Sequence, residues 1–425
     1  MQLSSSLYGP PVPAWPDAVP TCLGPSAIVR LAYAGADRAD LTRSLVARLQ
    51  GPLIDPAAQL DLATLLMAQG GDLALEGRIL QQNAVRMQRS YQICHGRGTG
   101  LRILAFVTPG DFMANTPLDF LLEGSDAVLI LHFVDATTQR LDDLPPHDVA
   151  FMAIGESPEN ARTLLVLAGL LAGWRRPIFN NAAALIASLT RDRVSQLLAD
   201  EASLYAPPTH QLTRDDLAQV LSGLPLSALG QGLRFPLILR PTGSHAGAGM
   251  QRITGLPDLA HWLAHSAAAS VYVAPFIDYR GADGLYTKQR IVLIKGRAFA
   301  SHQASSKHWM VHYLNADMAE NPARRDAEAA WMQRFDQDFA RRHATAFAAL
   351  YRLVGLDYFG IDCAELPDGR LLVFELDVAM IVHNMDDPAI FPYKQPAMRK
   401  LFGGFLAALE AAAQIEAVAV GQKHS

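Results

Sequence analysis

The spacing of apolar residues divides the chain into three regimes. From Leu41 to Ile93, LTRSLVARLQ and then PAAQLDLATLLMAQGGDLALEGRILQQNAVRMQRSYQI carry apolar residues three and four positions apart, on both sides of a Gly70-Gly71-Asp72 break. That period predicts a helical hairpin with one buried face. The Pro-rich first two dozen residues predict an extended arm. From Gly98 to Asn181 the period shortens. LRILAFV (Leu101 to Val107), DAVLILHFV, DVAFMAIG and RRPIFN are short apolar runs with helical material between them, including a helix near Thr116 to Glu123. Strands alternating with helices predict α/β structure, a parallel Rossmann-like sheet. Beyond Asn181 the pattern becomes mixed. A helix over Ala182 to Leu198 and a Pro207-Pro208 break lead into strands and helices of α+β type, and a last helix covers Pro396 to Ala413. Phe339, Phe347 and Leu350 recur helically within Phe335 to Leu353 as core packing. The divisions fall at 1–97, 98–181, 182–275, 276–415 and a 416–425 tail.

Composition narrows the function. With 425 residues, 50% hydrophobic and 18% charged, the chain is too long for one small core and too apolar for disorder. A net charge of −5 provides no global basic field, so nucleic acid is not an expected partner. Cys22, Cys94 and Cys363 are far apart and form no CxxC pair, which fits a reducing compartment without zinc–thiolate sites. The opening MQLSSSLYGPPVPAWPDAVP lacks the charged and apolar regions of a signal peptide. The longest apolar stretch, Ala161 to Trp174, is too short to span a bilayer. The expected location is cytoplasmic, with no membrane partner. Val107 is followed by TPGDFMAN, with one glycine and no GxGxxG, which argues against a nicotinamide dehydrogenase.

The candidate chemistry begins in GLDYFGIDCAELPDGRLLVFELDVAMIVH, Gly355 to His383, which reads as a β-hairpin about a Pro-Asp-Gly turn. A two- or four-residue loop sets Leu366 opposite Leu371, and therefore Asp362 opposite Glu375. Asp377 shares that face opposite Gly360, where open space would admit a ligand; Ile361, Cys363, Leu372, Phe374 and Leu376 take the core face. Two carboxylates about 4 Å apart repel by about 4 kcal/mol at an effective dielectric near 20. Either one keeps a proton or a divalent cation sits between them, and oxygen-only donors suit magnesium. A solvated face would also accommodate them, and a three-residue turn would part the pair.

Two further segments suggest anion binding. FPLILRPTGSHAGAGM ends a strand at Arg240 and enters a loop containing Gly243, Ser244, Gly247 and Gly249. Small residues there let backbone N–H groups approach phosphate oxygens, although no Gly-Lys-Ser/Thr of a P-loop follows. VYVAPFIDYRGADGLYTKQRIVLIKGRAFASHQ has a strand ending at Phe276-Ile277 and another carrying Lys288 and Arg290, which would point at a polyphosphate or at solvent. His308 and His312 have helix-compatible metal spacing but no HExxH.

In this order the three segments resemble the ATP-grasp superfamily over about Asn181 to Leu409. The Rossmann-like region is similar to that family's N-terminal domain, and the first hairpin resembles a tetratricopeptide unit. The resemblance implies an ATP-grasp fold of two α+β subdomains. It also implies that Asp362, Glu375 and Asp377 hold two Mg2+ ions on the ATP phosphates, with the spacing of the D-alanine–D-alanine ligase branch. Arg240 and Arg193 (in TRDRVSQLL) then stand at phosphate-binding lysine positions, with Lys288 beside them. Ala274 to Ile277, including Phe276, is the adenine hinge, and Asp278 or Asp283 meets the ribose. Arg290 meets phosphate or an acyl group, and His383 handles acceptor or acyl group. His302, Lys307, His312 and Asn315 belong to a segment expected to cover the nucleotide or the substrate. The implied reaction joins a small-molecule or peptide carboxylate to an amine through an acyl phosphate. The alternatives are nucleotide binding without catalysis and phosphotransfer to a small molecule. A single helical hairpin cannot bury its own face, so it docks on the chain, a second copy or another protein.

Overall fold

The computed structural model describes residues 19–33, 38–244, 247–312 and 315–421. Most of the Pro-rich arm and the end of the tail lie outside the described residues. Four helices open the structure: α1 (Pro25–Tyr33), α2 (Ala39–Leu49), α3 (Pro56–Met67) and α4 (Gly71–Met87). Asp55 starts α3, its Oδ1 accepting from the Ala57 and Ala58 amides at 3.0 and 3.1 Å with Pro56 in the first turn. The expected hairpin break falls at Gly70, whose φ of 75° and ψ of −175° suit glycine alone. The two helices cross closely because α4 brings Gly77 to the contact: a Cβ there would lie 2.7 Å from the Ala63 carbonyl oxygen.

All of α3 from Pro56 to Leu66 is buried, since both its sides are covered. Ala58, Leu62 and Leu65 pack against Ile28, Leu45 and Leu80, while Ala57 and Leu60 pack onto a sheet. The helical hairpin thus docks on its own chain. That sheet contains β1 (Ser90–Cys94), β2 (Arg102–Val107), β3 (Val128–Phe133), β4 (Val149–Met152) and β5 (Ile178–Phe179), in the order β1-β3-β2-β4-β5. The last four named are parallel in the Rossmann manner, and β1 is an antiparallel edge on β3. The SYQI segment, read as helical, is β1. Its alternation buries Tyr91, whose hydroxyl donates to the Ala84 carbonyl at 2.7 Å. Helices α5 (Leu118–Leu121) and α6 (Ala161–Leu170) fall between the strands.

The single helix expected over Ala182 to Leu198 is two, α7 (Ala183–Ile186) and α8 (Arg191–Leu198), because Thr190 is extended and restarts the helix. The chain continues through β6 (Leu204–Tyr205), β7 (His210–Thr213), β8 (Leu237–Pro241), β9 (Gln251–Ile253), β10 (Ser270–Pro275), β11 (Tyr286–Ile294), β12 (Arg297–Ser306), β13 (Tyr358–Glu365) and β14 (Leu371–Asp377). An antiparallel sheet, β7-β10-β8-β9, packs on Leu217, Leu259 and Trp262 of its helices. A second sheet, β12-β11-β13-β14-β6, carries the predicted hairpin. Its back packs on Phe339, Phe347 and Leu350, the helical recurrence noted above. The C-terminal helix, Lys394–Gly421, inserts Leu401 and Phe405 between this sheet and the Rossmann-like one. Asn180 pins the same junction by exchanging 2.8 Å hydrogen bonds with the Tyr358 backbone. These are the two α+β units and the preceding parallel sheet expected of an ATP-grasp fold. Among the described residues no helix is long and apolar enough to cross a membrane.

Candidate functional site

The carboxylate face rests on two irregularities that cancel. The Leu366 amide donates to the Arg370 carbonyl at 3.0 Å, and Gly369 has φ of 84°. The turn therefore holds three residues, not the expected two or four, and Leu371 faces Glu365. Alone, this shift would part Asp362 from Glu375. A β-bulge at Phe374 adds one residue and restores the phase. Cys363 pairs with Val373, yet Asp362 pairs with Glu375, Ile361 with Leu376 and Gly360 with Asp377. The bulge also corrects the faces. Leu372 and Phe374 pack on the carboxylate side with Tyr279, and Val373 joins Ile361, Cys363 and Leu376 in the core. The uniformly apolar LLVF run gave no sign of this phase change. The space expected opposite Asp377 is occupied: a Cβ on Gly360 would lie 2.7 Å from Met380 Sδ.

The opposed carboxylates are relieved by neither a shared proton nor bulk water. Asp362, 3% exposed, accepts from Lys288 Nζ at 2.8 Å and from Arg290 Nε and Nη2 at 2.8 and 3.1 Å. Arg290 is its direct neighbour across the β11–β13 ladder, and Lys288 lies two residues along the same face. Glu375 pairs with Arg191 from α8, and Arg240 Nη1 from β8 lies 3.7 Å from its Oε2. Burial pushes both carboxyls up, but the cations outweigh it. Arg290 and Lys288 hold Asp362 well below the usual carboxylate range, and Arg191 with Arg240 draws Glu375 down to about 2. Asp377 Oδ1 accepts from the Ala379 amide at 2.8 Å. Nearby Glu156, in the segment after β4, behaves oppositely: burial and the Asp377 charge push its carboxyl up to about 7.

All of these groups except Glu156 line a cleft of about 990 Å³ between the two α+β sheets. Arg191, not Arg193, is the α8 cation of the site. Arg193 is exposed on another face of the helix, within 3.5 Å of Gln196, since two residues along a helix turn a side chain through slightly more than a half circle. Arg240 lines the cleft as expected, and its Nη2 donates to the Ser244 carbonyl at 2.7 Å. Its Nε is buried without a hydrogen-bond partner, a donor that an incoming anion would satisfy. Of the small-residue loop, Gly247 reaches the lining while Gly243, Ser244 and Gly249 are not part of it; His245 and Ala246 lie outside the described residues.

Ala274, Phe276 and Ile277, expected as an adenine hinge, line the cleft, but the Phe276 amide is engaged, donating to the Pro236 carbonyl at 2.8 Å. The Arg252 guanidinium lies 3.8 Å from the Phe276 ring centroid. Neither expected ribose acid reaches the cleft. Asp278 is exposed and paired with Arg280, and Asp283 accepts from the Leu285 amide within its own turn. Tyr279 faces inward between them. His302, His312 and His383 do line the cleft, whereas Lys307 and Asn315 are exposed outside it. Burial lowers His302 well below the usual histidine value, reinforced by Arg290. It lowers His383 too, with Asp386 opposing and Lys394 assisting.

Sequence reading missed Lys394 and its partners. Lys394 Nζ lies 2.8 Å from Asp386 and 3.8 Å from the fully buried Glu328, which also accepts from the Tyr393 hydroxyl at 2.6 Å and the Gln303 amide at 2.9 Å. Neither Arg191 nor Lys394 stands in a motif that marks it, and only tertiary packing distinguishes them from surface charges.

Among the described residues no group of three or more His, Cys, Asp or Glu side chains is gathered as a metal cage. The donor chemistry nevertheless fits a hard cation. Asp362 and Glu375 face each other directly with Asp377 beside them, all oxygen donors. The basic side chains now serving those oxygens are ones that a polyphosphate would draw to itself.

Several solved structures are similar to this chain. The RimK-domain ATP-grasp protein from Sphaerobacter thermophilus is 16% identical, covers 72% of this chain and 99% of its own, and has a TM-score of 0.40. The D-alanine–D-alanine ligase from Coxiella burnetii is 13% identical over 76% and 99%, with a TM-score of 0.45. The VanG D-Ala:D-Ser ligase from Enterococcus faecalis is 13% identical over 73% and 100%, with a TM-score of 0.44. No protein-family model matches the sequence, and no curated protein does.

Proposed function

We propose that the cleft is the active site of an ATP- and magnesium-dependent ligase that joins a carboxylate to an amine. The observation that carries this reading is the pairing of Asp362 and Glu375 with four cationic side chains, from β11, α8 and β8, on one cleft wall. A site that must hold a polyphosphate and hard cations needs both signs of charge within a few ångströms. The unpartnered Nε of Arg240 adds a donor for a phosphate oxygen. Magnesium held by Asp362, Glu375 and Asp377 would neutralise charge on the transferring phosphoryl group.

In the proposed reaction the substrate carboxylate oxygen attacks the terminal phosphorus of ATP, and ADP departs with the bonding electrons. Arg290 and Lys288 orient the phosphoryl oxygens. The amine nitrogen then attacks the acyl carbon, and phosphate leaves with the electron pair of the C–O bond. His383, which burial keeps neutral at pH 7, receives the proton the amine gives up. The test is ADP and phosphate release with ATP, magnesium and a panel of amino acids, together with hydroxylamine trapping. Hydroxamate formation is expected. A stable phosphorylated product would instead indicate phosphotransfer, and no nucleotide binding would end the proposal.

One observation favours a second reading, nucleotide binding without catalysis. Asp362 is served by both Lys288 and Arg290, so the site neutralises itself without an ion. Nucleotide affinity unchanged by magnesium removal would support it.

A further inference from the structure

The cleft has a second character away from its charged wall. Val29 of α1 and Met67 at the end of α3 line it, together with Phe112, Met113 and Phe120 from the segment after β2 and Met385 from the segment after β14. These six side chains come from parts of the chain far apart in sequence, and the packing joins them. The Phe120 and His383 rings lie 6.5 Å apart, the Thr116 hydroxyl donates to the Val378 carbonyl at 2.8 Å, and Arg30 meets Glu123 at 2.7 Å. The helical region is therefore one wall of the cleft as well as a brace. At the edge of this apolar wall, Lys394 Nζ and the Asp386 carboxylate lie side by side, 2.8 Å apart, in the cleft lining.

We infer that the amino-acid substrate of this cleft carries a large apolar side chain, branched aliphatic, thioether or aromatic. That side chain sits among Met67, Phe112, Met113 and Phe120, and the zwitterionic backbone lies toward Asp386 and Lys394. This deepens the ligase reading and rests on it. Two physical points support the assignment. Methionine and phenylalanine side chains offer polarisable surface that conforms to apolar groups of varied shape. A neighbouring carboxylate and ammonium complement an amine and a carboxylate on one carbon, whereas a polyanion would meet Asp386 unfavourably. In a pocket of this kind, discrimination against a shorter side chain is about 10- to 200-fold per missing methylene-sized contact.

The experiment measures ADP release with leucine, methionine, phenylalanine, alanine, aspartate and lysine. In parallel, calorimetry measures binding of the same amino acids to the protein loaded with AMPPNP and Mg2+. Expected is a kcat/KM for leucine, methionine or phenylalanine at least tenfold above that for alanine, with aspartate and lysine lower still. Met113→Glu and Phe112→Ala, both at half-buried positions, should each reduce the leucine-to-alanine ratio at least fivefold. Preference for alanine or aspartate, or a ratio that neither variant moves, overturns the inference while ADP release preserves the ligase reading. Leucine binding tenfold tighter than alanine, with no ADP released, does the reverse.

Discussion

Arg191→Ala, compared with Arg193→Ala, gives the sharpest test of the charged wall. Both arginines stand in the first turn of α8, and only the first points into the cleft. A guanidinium about 4 Å from a phosphate charge contributes about 4 kcal/mol at an effective dielectric near 20. The Arg191 side chain is 24% exposed and is shared with Glu375, so about half of that, ~2 kcal/mol or roughly 30-fold in affinity, is the expected loss. The ligand-free protein should respond as well. Glu375, 22% exposed, would face Arg240 alone at 3.7 Å, a destabilisation of about 2 kcal/mol, below the ~3–5 kcal/mol of a fully buried pair. The pH dependence has a definite sign. The Glu375 carboxyl is depressed in the folded state, so its contribution is present above the unfolded value of 4.5 and is lost as pH falls through about 2. The stability difference between wild type and Arg191→Ala should therefore be full at pH 7 and shrink below pH 4.5. AMPPNP titration calorimetry and thermal unfolding read the two effects. An Arg193→Ala loss as large as that of Arg191→Ala, or an Arg191→Ala affinity within threefold of wild type, would refute the assignment.

Asp362→Asn leaves Lys288 and Arg290 facing a neutral amide in a site where the aspartate side chain is 4% exposed. It should cost about 3 kcal/mol in denaturant unfolding and abolish ADP release; retention of both stability and turnover would contradict the ion-pair account. Glu156→Gln should be stabilising only above about pH 5, where the unfolded carboxyl ionises. Burial and Asp377 raise the Glu156 carboxyl to about 7 in the folded state, so its contribution is intact below 4.5 and lost as pH rises through 7. The melting temperature of the variant should match wild type at pH 4 and exceed it progressively from pH 5 to pH 8. A gap that stays constant with pH would show that Asp377 and burial do not govern this group.

Local periodicity carried much of the fold and part of the site. The break at Gly70, the four parallel strands and the buried Phe339, Phe347 and Leu350 all follow from repeats of two or of three to four apolar residues, because burial selects one face of each element. The opposition of Asp362 and Glu375 was also legible, though by compensation: the turn is one residue off the expected length, and the Phe374 bulge returns the register. The strand positions of Lys288, Arg290 and Arg240 could be read, since alternation in a strand keeps charged side chains out of the core. Other features depended on the docking of separate elements. Choosing Arg191 over Arg193 requires the rotation of α8 against β14, and the helical region becomes a cleft wall only when the segments after β2 and β14 pack together. Lys394 joins Asp386 and Glu328 only through the packing of the C-terminal helix against the second sheet. Sequence spacing determines which residues share a face, because backbone geometry is local. Which faces meet, and which charges become neighbours, is a property of the packed chain, because Coulomb interactions and burial act through space, between residues that in the Arg191–Glu375 pair are 184 positions apart.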